Sequence, residues 1–318
     1  MDLLIVIVNY RTAELTIDCL HSLAQEMAHL GHARVVITDN RSGDDSVDRI
    51  KRALNENRWH EWASVMPLDR NGGFAYGNNE AIRPALQQAD PPDFILLLNP
   101  DTIVRLGAVE SLVRFMRAHP DVGIAGSRLE DPDGTPQRSA FRFHSIRSEI
   151  DDALRLGMVS RWLSRYCVAP PVRDEAHQTD WVAGASMIVR KEVFDQIGLM
   201  DEAYFMYYEE VDFCLRASKA GWSCWYVPES RVVHLVGQAS GVTVQHTRPK
   251  RRPNYWFDSR RRYFIKHHGR MYASLADLAW ALCFALYRVR RLIQRKPDTD
   301  PPRLLYDFLR HSALIRGV

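Results

Sequence analysis

The stretch Tyr207-Tyr208-Glu209-Glu210-Val211-Asp212 places three carboxylates at the start of a helical pattern. Helical spacing puts Glu210 on the face of Phe213, Cys214 and Ala217, so it points toward protein, while Asp212 and Arg216 stand one turn apart and can pair. An acidic first turn is ordinarily a response to the helix dipole, and for the cluster alone that is the better account. An inward carboxylate is nevertheless uncommon unless paired or functional. Kept ionised, it could take the proton of an attacking hydroxyl.

Asn99-Pro100-Asp101 follows the apolar run Ile95-Leu96-Leu97-Leu98. A carboxylate at the end of a buried strand is well placed to hold a divalent cation, whose ligands are hard oxygens and diphosphate. A Pro-Asp turn that caps the next helix explains the tripeptide equally well. His234, after Val232-Val233, could be a second metal ligand, although a lone histidine beside apolar residues is more often a satisfied core residue. Asp39-Asn40-Arg41-Ser42 and Asn71-Gly72-Gly73-Phe74 could read a base and ribose and approach a phosphate, with Phe74 or Tyr10 stacking on a ring. Each is also an ordinary turn sequence. No G-x-G-x-x-G or G-x-x-x-x-G-K-[ST] appears, which counts against a dehydrogenase or a P-loop enzyme.

These residues need elements to hold them. Leu3–Val8 reads as a strand covered on both faces, followed by a helix over Glu14–Leu30. A strand at Val35–Thr38, a helix at Asp44–Asn57 and a weaker strand at Ser64–Pro67 come next. A helix over Ala75–Gln88 must be kinked or shortened by Pro84. Phe94–Leu98 is the clearest central strand, with a helix near Leu106–Ala118 and a strand at Gly123–Ala125. The order predicts a doubly wound, mostly parallel α/β sheet with helices on both faces. Ligands of such sheets bind beyond the carboxyl ends of the strands. There the chain places Asn9-Tyr10-Arg11, Asp39-Asn40 and Asn99-Pro100-Asp101. Leu129–Thr179 reads as irregular, a candidate substrate-covering loop. Trp181–Arg190 is strand-like, Lys191–Ile197 helical, Tyr208–Ala220 a helix ended by Gly221, and Ser223–Val227 a further strand.

At 318 residues, with 46% hydrophobic and 25% charged residues, the chain can bury a substantial core. Its net charge of +3 conceals a division. Fourteen Lys/Arg lie between Gln245 and Lys296 against Asp258 and Asp277 alone, which leaves an acidic body with a basic tail. Five cysteines, without C-x-x-C spacing, suit a reducing compartment and give neither a disulfide nor a zinc framework. The first apolar run is too short for a signal segment, so a cytoplasmic location is expected.

Taken together these residues resemble the inverting glycosyltransferase family 2 with the GT-A fold, in particular its bacterial rhamnosyltransferase-like members. The likeness runs from Leu3 to about Ser240. It rests on Val8-Asn9-Tyr10, Thr38 to Ser42, Asn71-Gly72-Gly73-Phe74-Ala75-Tyr76-Gly77-Asn78-Asn79, Leu98 to Asp101, Trp181-Val182-Ala183-Gly184-Ala185, Phe205 to Asp212, and Val233-His234. The resemblance implies a nucleotide-sugar site built from Asn9, Tyr10, Arg11, Asp39, Asn40, Asn71, Gly72, Gly73, Phe74, Asn78, Asn79, Asn99 and Asp101. It places Asp180, Trp181, Gly184, Ala185 and Asp212 near the transferred sugar or the acceptor. Asp101 and His234 would hold Mg²⁺ or Mn²⁺. Glu210 would be the base, with Glu209 a live alternative because the family's pair usually reads Glu-Asp or Asp-Asp. The family's Asp-x-Asp signature also departs here, since Asn99 stands at its first position.

The implied reaction is one in-line displacement, from a dTDP- or UDP-sugar to a saccharide or lipid-linked acceptor in cell-surface polysaccharide synthesis. Rhamnose from dTDP is the donor the resemblance favours. A nucleotide-sugar-binding protein without activity is the alternative. A pyrophosphorylase would carry a Gly-rich loop where this chain has Asn9-Tyr10-Arg11. The expected division is a catalytic domain at 1–244 and a basic, helical C-terminal region at 245–318. In that region the apolar Ala273–Tyr287 is shorter than the ~20 residues that span a bilayer. It reads either as a helix on the anionic inner face of the plasma membrane, or as a helix docked on the body or in a homodimer. Nucleic acid is the poorer reading, because no recognised binding motif accompanies the charge.

Overall fold

A computed structural model of the chain describes residues 2–235 and 249–317. The end of the resemblance near Ser240 and the expected boundary at 244/245 lie outside the described residues. The chain divides into two compact units. The first holds the chain up to Phe141, Pro171–Phe205 and the stretch from Glu209; the second holds Arg142–Pro170, Met206–Tyr208 and the C-terminal region.

In chain order the elements are β1 (Leu3–Asn9), α1 (Ala13–Met27), β2 (Ala33–Asp39), α2 (Ser46–Glu56), a 3₁₀ turn at Trp59–Glu61, β3 (Ala63–Pro67), α3 (Gly73–Leu86) and β4 (Phe94–Leu98). Next come β5 (Thr102–Val104), α4 (Ala108–Ala118), β6 (Val122–Glu130) and β7 (Ala140–Phe141). The second unit then takes α5 (Ile146–Leu154) and α6 (Gly157–Trp162). β8 (His177–Thr179), β9 (Trp181–Val182), β10 (Ser186–Arg190), α7 (Lys191–Ile197), α8 (Glu209–Lys219) and β11 (Ser223–His234) return to the first unit. The second unit ends with α9 (Asn254–Ile293) and α10 (Leu304–Arg310).

The main sheet runs β3-β2-β1-β4-β10-β6-β11-β5, with β8 added beside β11. Its first four strands are parallel, and β1 and β4 are buried almost throughout, as their unbroken apolar sequences require. β10 is antiparallel to both β4 and β6. It enters the sheet from a turn at residues 183–185 that interrupts the strand-like run Trp181–Arg190, so Ser186 pairs with Leu98 and the turn lies at the carboxyl end of β4. Pro84 falls in the last turn of α3, which ends two residues later at Leu86.

Three expectations are corrected. β11 continues to His234 through a register shift between Val227 and Arg231, because β5 and β6 supply pairing beyond the irregularity. β9 pairs with β7 in a separate two-stranded sheet rather than forming one strand with β10. Leu129–Thr179 is not irregular throughout: α5 is capped reciprocally by Ser145 and Ser148, a Ser-x-x-Ser variant of the usual Ser-x-x-Glu box.

In the second unit Glu149 of α5 pairs with Arg260 at 2.6 Å, and Arg260 also pairs with Asp277. All three side chains are buried there. Ala153, Phe257, Trp280, Phe284, Leu304 and Phe308 form the apolar core of this unit. The α9 helix is broken at Gly269, whose φ of 83° and ψ of 163° leave the helical region. Ala273–Tyr287 lies in its second half. Among the described residues no helix is long and apolar enough to cross a membrane.

Candidate active site

The ends of β1 and β2 are tied by a buried polar knot. The Asn9 amide donates to Asp39 Oδ1 at 2.6 Å, and Ser42 donates to both Asp39 oxygens, at 2.5 Å from its hydroxyl and 2.9 Å from its backbone. Thr12 and Thr16 hydroxyls close on Asn9 Oδ1. Arg11 and Arg41 take the left-handed conformation that this sharp exit from each strand requires, and Arg11 donates from Nε to the Ser42 carbonyl at 2.8 Å. Asn9 is therefore structural, and Asp39 retains acceptor capacity for one further donor at Oδ2. Tyr10 is 38% exposed at the rim.

The glycine pair opens α3. Gly73 has φ +85°, and a Cβ there would lie 1.8 Å from the Phe205 carbonyl oxygen, which accepts from Phe74 N at 3.0 Å. Asn71 Oδ1 accepts from Gly73 N, and Asn40 donates to the Gly73 carbonyl. Asn78 bonds the Phe74 carbonyl. The side-chain oxygens of Asn40 and Asn78 are buried and make no hydrogen bond among the described residues. Asn79 differs: its amide bonds both N and O of Met200 and the Glu202 carboxylate, so it braces the 200–202 segment rather than facing a ligand.

Asn99 N donates to the Ala185 carbonyl at 3.0 Å, fastening the end of β4 to the 183–185 turn. Gly184 is the point of convergence: a Cβ there would lie 3.2 Å from the Phe74 ring and 3.8 Å from Glu210 Cβ. Segments that begin α3, precede β10 and open α8 thus meet at one position. Below them Cys19 lies against Asn99 O and the Thr102 hydroxyl, and burial pushes its thiol up to about 12, so it stays protonated and unreactive.

Asp101 and His234 are brought together by the sheet. The β5–β11 register sets His234 opposite Thr102, and Leu235 N donates to the Asp101 carbonyl. His234 Nε2 stands 3.5 Å from Asp101 Oδ1, with Asp101 3% exposed. Among the described residues no group of three or more His, Cys, Asp or Glu converges as a metal cage. Gln137, which no sequence pattern marked, donates to Asp131 and to the His234 carbonyl at 2.9 Å, and so holds that strand end in place.

The chain enters α8 through two left-handed tyrosines, Tyr207 at φ 69° and Tyr208 at φ 68°. Bulky residues rarely adopt this conformation, and the strain is localised where the helix aims Glu209 and Glu210. Each carboxylate keeps a buried Oε2 with no hydrogen-bond partner among the described residues. Burial raises both: Glu209 well above its ordinary range, with the charge of Glu210 adding to the effect, and Glu210 up to about 7. Asp212 does not share this arrangement. It is fully buried, accepts from Tyr204 and pairs with Arg216 at 2.9 Å, while Arg216 caps the carbonyls of Ile197 and Leu199. Trp181 stacks on Phe141 at 4.2 Å, and Asp180 N bonds the Phe141 carbonyl, so both help build the β7–β9 pair.

The model of the family described as glycosyltransferase like family 2 matches residues 2–263. An N-acetylglucosaminyl-diphospho-decaprenol L-rhamnosyltransferase of Mycobacterium tuberculosis is 28% identical over 216 residues, which cover 65% of this chain and 68% of that protein. The dTDP-rhamnosyl transferase RfbF of Shigella flexneri is 23% identical over 258 residues, 78% of this chain and 76% of that one. Among solved structures, GalNAc-T7 with UDP, GalNAc and Mn²⁺ superposes with a TM-score of 0.62 at 16% identity, covering 98% of this chain. This chain spans 59% of the length of that one, and at such identity the likeness concerns the fold, which is of the GT-A type. With the family model spanning most of its length, the chain belongs to glycosyltransferase-like family 2.

Proposed function

We propose that the chain is an inverting glycosyltransferase that moves a sugar, rhamnose from dTDP in the first instance, to a hydroxyl of a saccharide or lipid-linked acceptor. The observation that carries this reading is the convergence of Phe74, Gly184 and Glu210, with a buried carboxylate oxygen left unbonded beside it. Rhamnosyl transfer and a lipid-diphosphate acceptor are named for the relatives, and they support the choice of donor and acceptor here.

Asp39 Oδ2 is available to receive a base N–H, and the Asn71–Phe74 loop lines the donor with Phe74 beside the sugar. The closeness of Gly184 to Phe74 leaves no room for a side chain where the sugar must lie. Glu210 accepts the proton of the acceptor hydroxyl. The hydroxyl oxygen bonds to the anomeric carbon as the carbon–oxygen bond to the diphosphate breaks, and the configuration inverts. Burial raises Glu209 well above its ordinary range, which disfavours a second charge beside this oxygen.

Asp101 and His234 offer one oxygen and one nitrogen at 3.5 Å, both largely buried, a donor pair that suits Mg²⁺ or Mn²⁺ when diphosphate oxygens complete the shell. When bound there, such a cation supplies neutralising charge to the leaving diphosphate. Titration calorimetry of dTDP and UDP, with and without Mn²⁺, tests the reading on the wild type and on Asp101→Ala. Metal-dependent binding of one nucleotide, lost in the variant, is expected. Nucleotide binding without transfer of radiolabelled rhamnose to any hydroxyl acceptor would leave a binding protein instead.

A further inference from the structure

Among the described residues, fifteen of the eighteen large hydrophobic side chains that are exposed belong to the second unit. Monomeric soluble proteins scatter such residues rather than concentrate them. Here they are ordered. Along the second half of α9, Leu275, Leu278, Leu282, Leu286, Val289 and Ile293 recur at three- and four-residue steps, a single stripe about 27 Å long at 1.5 Å per residue. The least exposed of them, Leu278, is 45% exposed and the most, Ile293, 77%. The stripe is not the core face of the helix, because Ala273, Ala276, Trp280 and Phe284 on the other side are buried.

Charge identifies the occupant. From Arg270 to Lys296 the only acidic residue is Asp277, which is 1% exposed and committed to Arg260. Arg288 and Arg291 are paired with Asp298, which leaves Arg270, Arg290, Arg295 and Lys296 along this stretch. A second copy of this face would bring those cations against one another with no exposed acid on it to answer them. Anionic lipid headgroups answer them directly, while the leucines enter the acyl boundary. Arg290 also donates to the carbonyls of Leu154 and Arg155, which ties α9 to the end of α5, immediately before α6 with its 89%-exposed Trp162. An exposed tryptophan is suited to the headgroup level.

We infer that residues 270–296 form an in-plane docking surface for an anionic lipid bilayer, with α9 lying along the interface. The inference stands on this surface alone and does not depend on the transferase reading. The test is flotation of the full chain with vesicles of phosphatidylcholine, and of phosphatidylcholine mixed with phosphatidylglycerol. The wild type floats with the mixed vesicles, about tenfold more strongly than with neutral ones, and high salt reduces the difference. Leu278→Glu/Leu282→Glu/Leu286→Glu, all at exposed positions, lowers binding to mixed vesicles by at least about tenfold while its thermal unfolding matches the wild type. Arg295→Gln/Lys296→Gln weakens binding to the mixed vesicles only. Equal flotation of the triple variant and the wild type overturns the inference. So does a wild type that floats with neither vesicle, including one that forms a dimer in light scattering which the triple variant dissociates.

Discussion

The acid–base character of Glu210 gives the most exacting prediction. Its carboxyl moves from 4.5 to about 7 because burial disfavours the charged form, which corresponds to about 3 kcal/mol of preference for the protonated state. Only the ionised form can accept a proton, so the rate must rise with pH through that value. In single-turnover assays at saturating donor, transfer at pH 6 should be about a tenth of the plateau, whereas an ordinary glutamate would be almost fully active there. Glu210→Gln should lower the chemical step by about 10²–10⁴-fold. Glu209→Gln should keep most activity and leave the limb near 7, because the shift of Glu210 comes from its own burial rather than from Glu209. The pair also makes a statement about stability. The folded protein keeps protons that the unfolded chain has released above pH 4.5, so this contribution is full below that pH and is lost as pH rises toward 7. Glu210→Gln should therefore unfold at higher temperature than the wild type at pH 8. A wild-type limb below pH 5.5, or loss of activity in Glu209→Gln with retention in Glu210→Gln, would refute the assignment.

The glycines of the site separate folding from chemistry. Gly73→Ala meets both a positive φ and the Phe205 carbonyl, and should cost about 1–3 kcal/mol in urea unfolding. Gly184→Ala, facing a ring at 3.2 Å, should unfold normally and raise the KM for donor. In the second unit Arg260→Met leaves Glu149 and Asp277 buried without their cation and should cost about 3–5 kcal/mol, most of it recovered when Glu149→Gln and Asp277→Asn are added.

Much of the architecture was legible because it is local. Short unbroken apolar runs such as Phe94–Leu98 read as strands covered on both faces, and polar residues at their ends stand where ligands of such sheets are expected. The Asp212–Arg216 pair was equally readable from one turn of helix. The α5 helix was not, since its serine cap is weak as a signal and its anchor, Arg260, lies more than a hundred residues away.

Sequence by itself therefore determined much of the repertoire: the long apolar strands, though not the short β5, β7 and β8, the carboxylates, amides and glycines at their ends, and a basic, apolar segment toward the end of the chain. Tertiary structure decided which of those residues share a place. The β5–β11 register set His234 against Asp101, and the turn before β10 set Gly184 against Phe74 and Glu210. Packing also removed candidates, since Asn79 and Asp212 are consumed by bonds to distant backbone and side chains that no spacing reveals. Turns and helix faces are set by neighbours in the chain, whereas strand pairing and burial are set by neighbours in space, and only burial leaves one carboxylate of an acidic run near neutral pH.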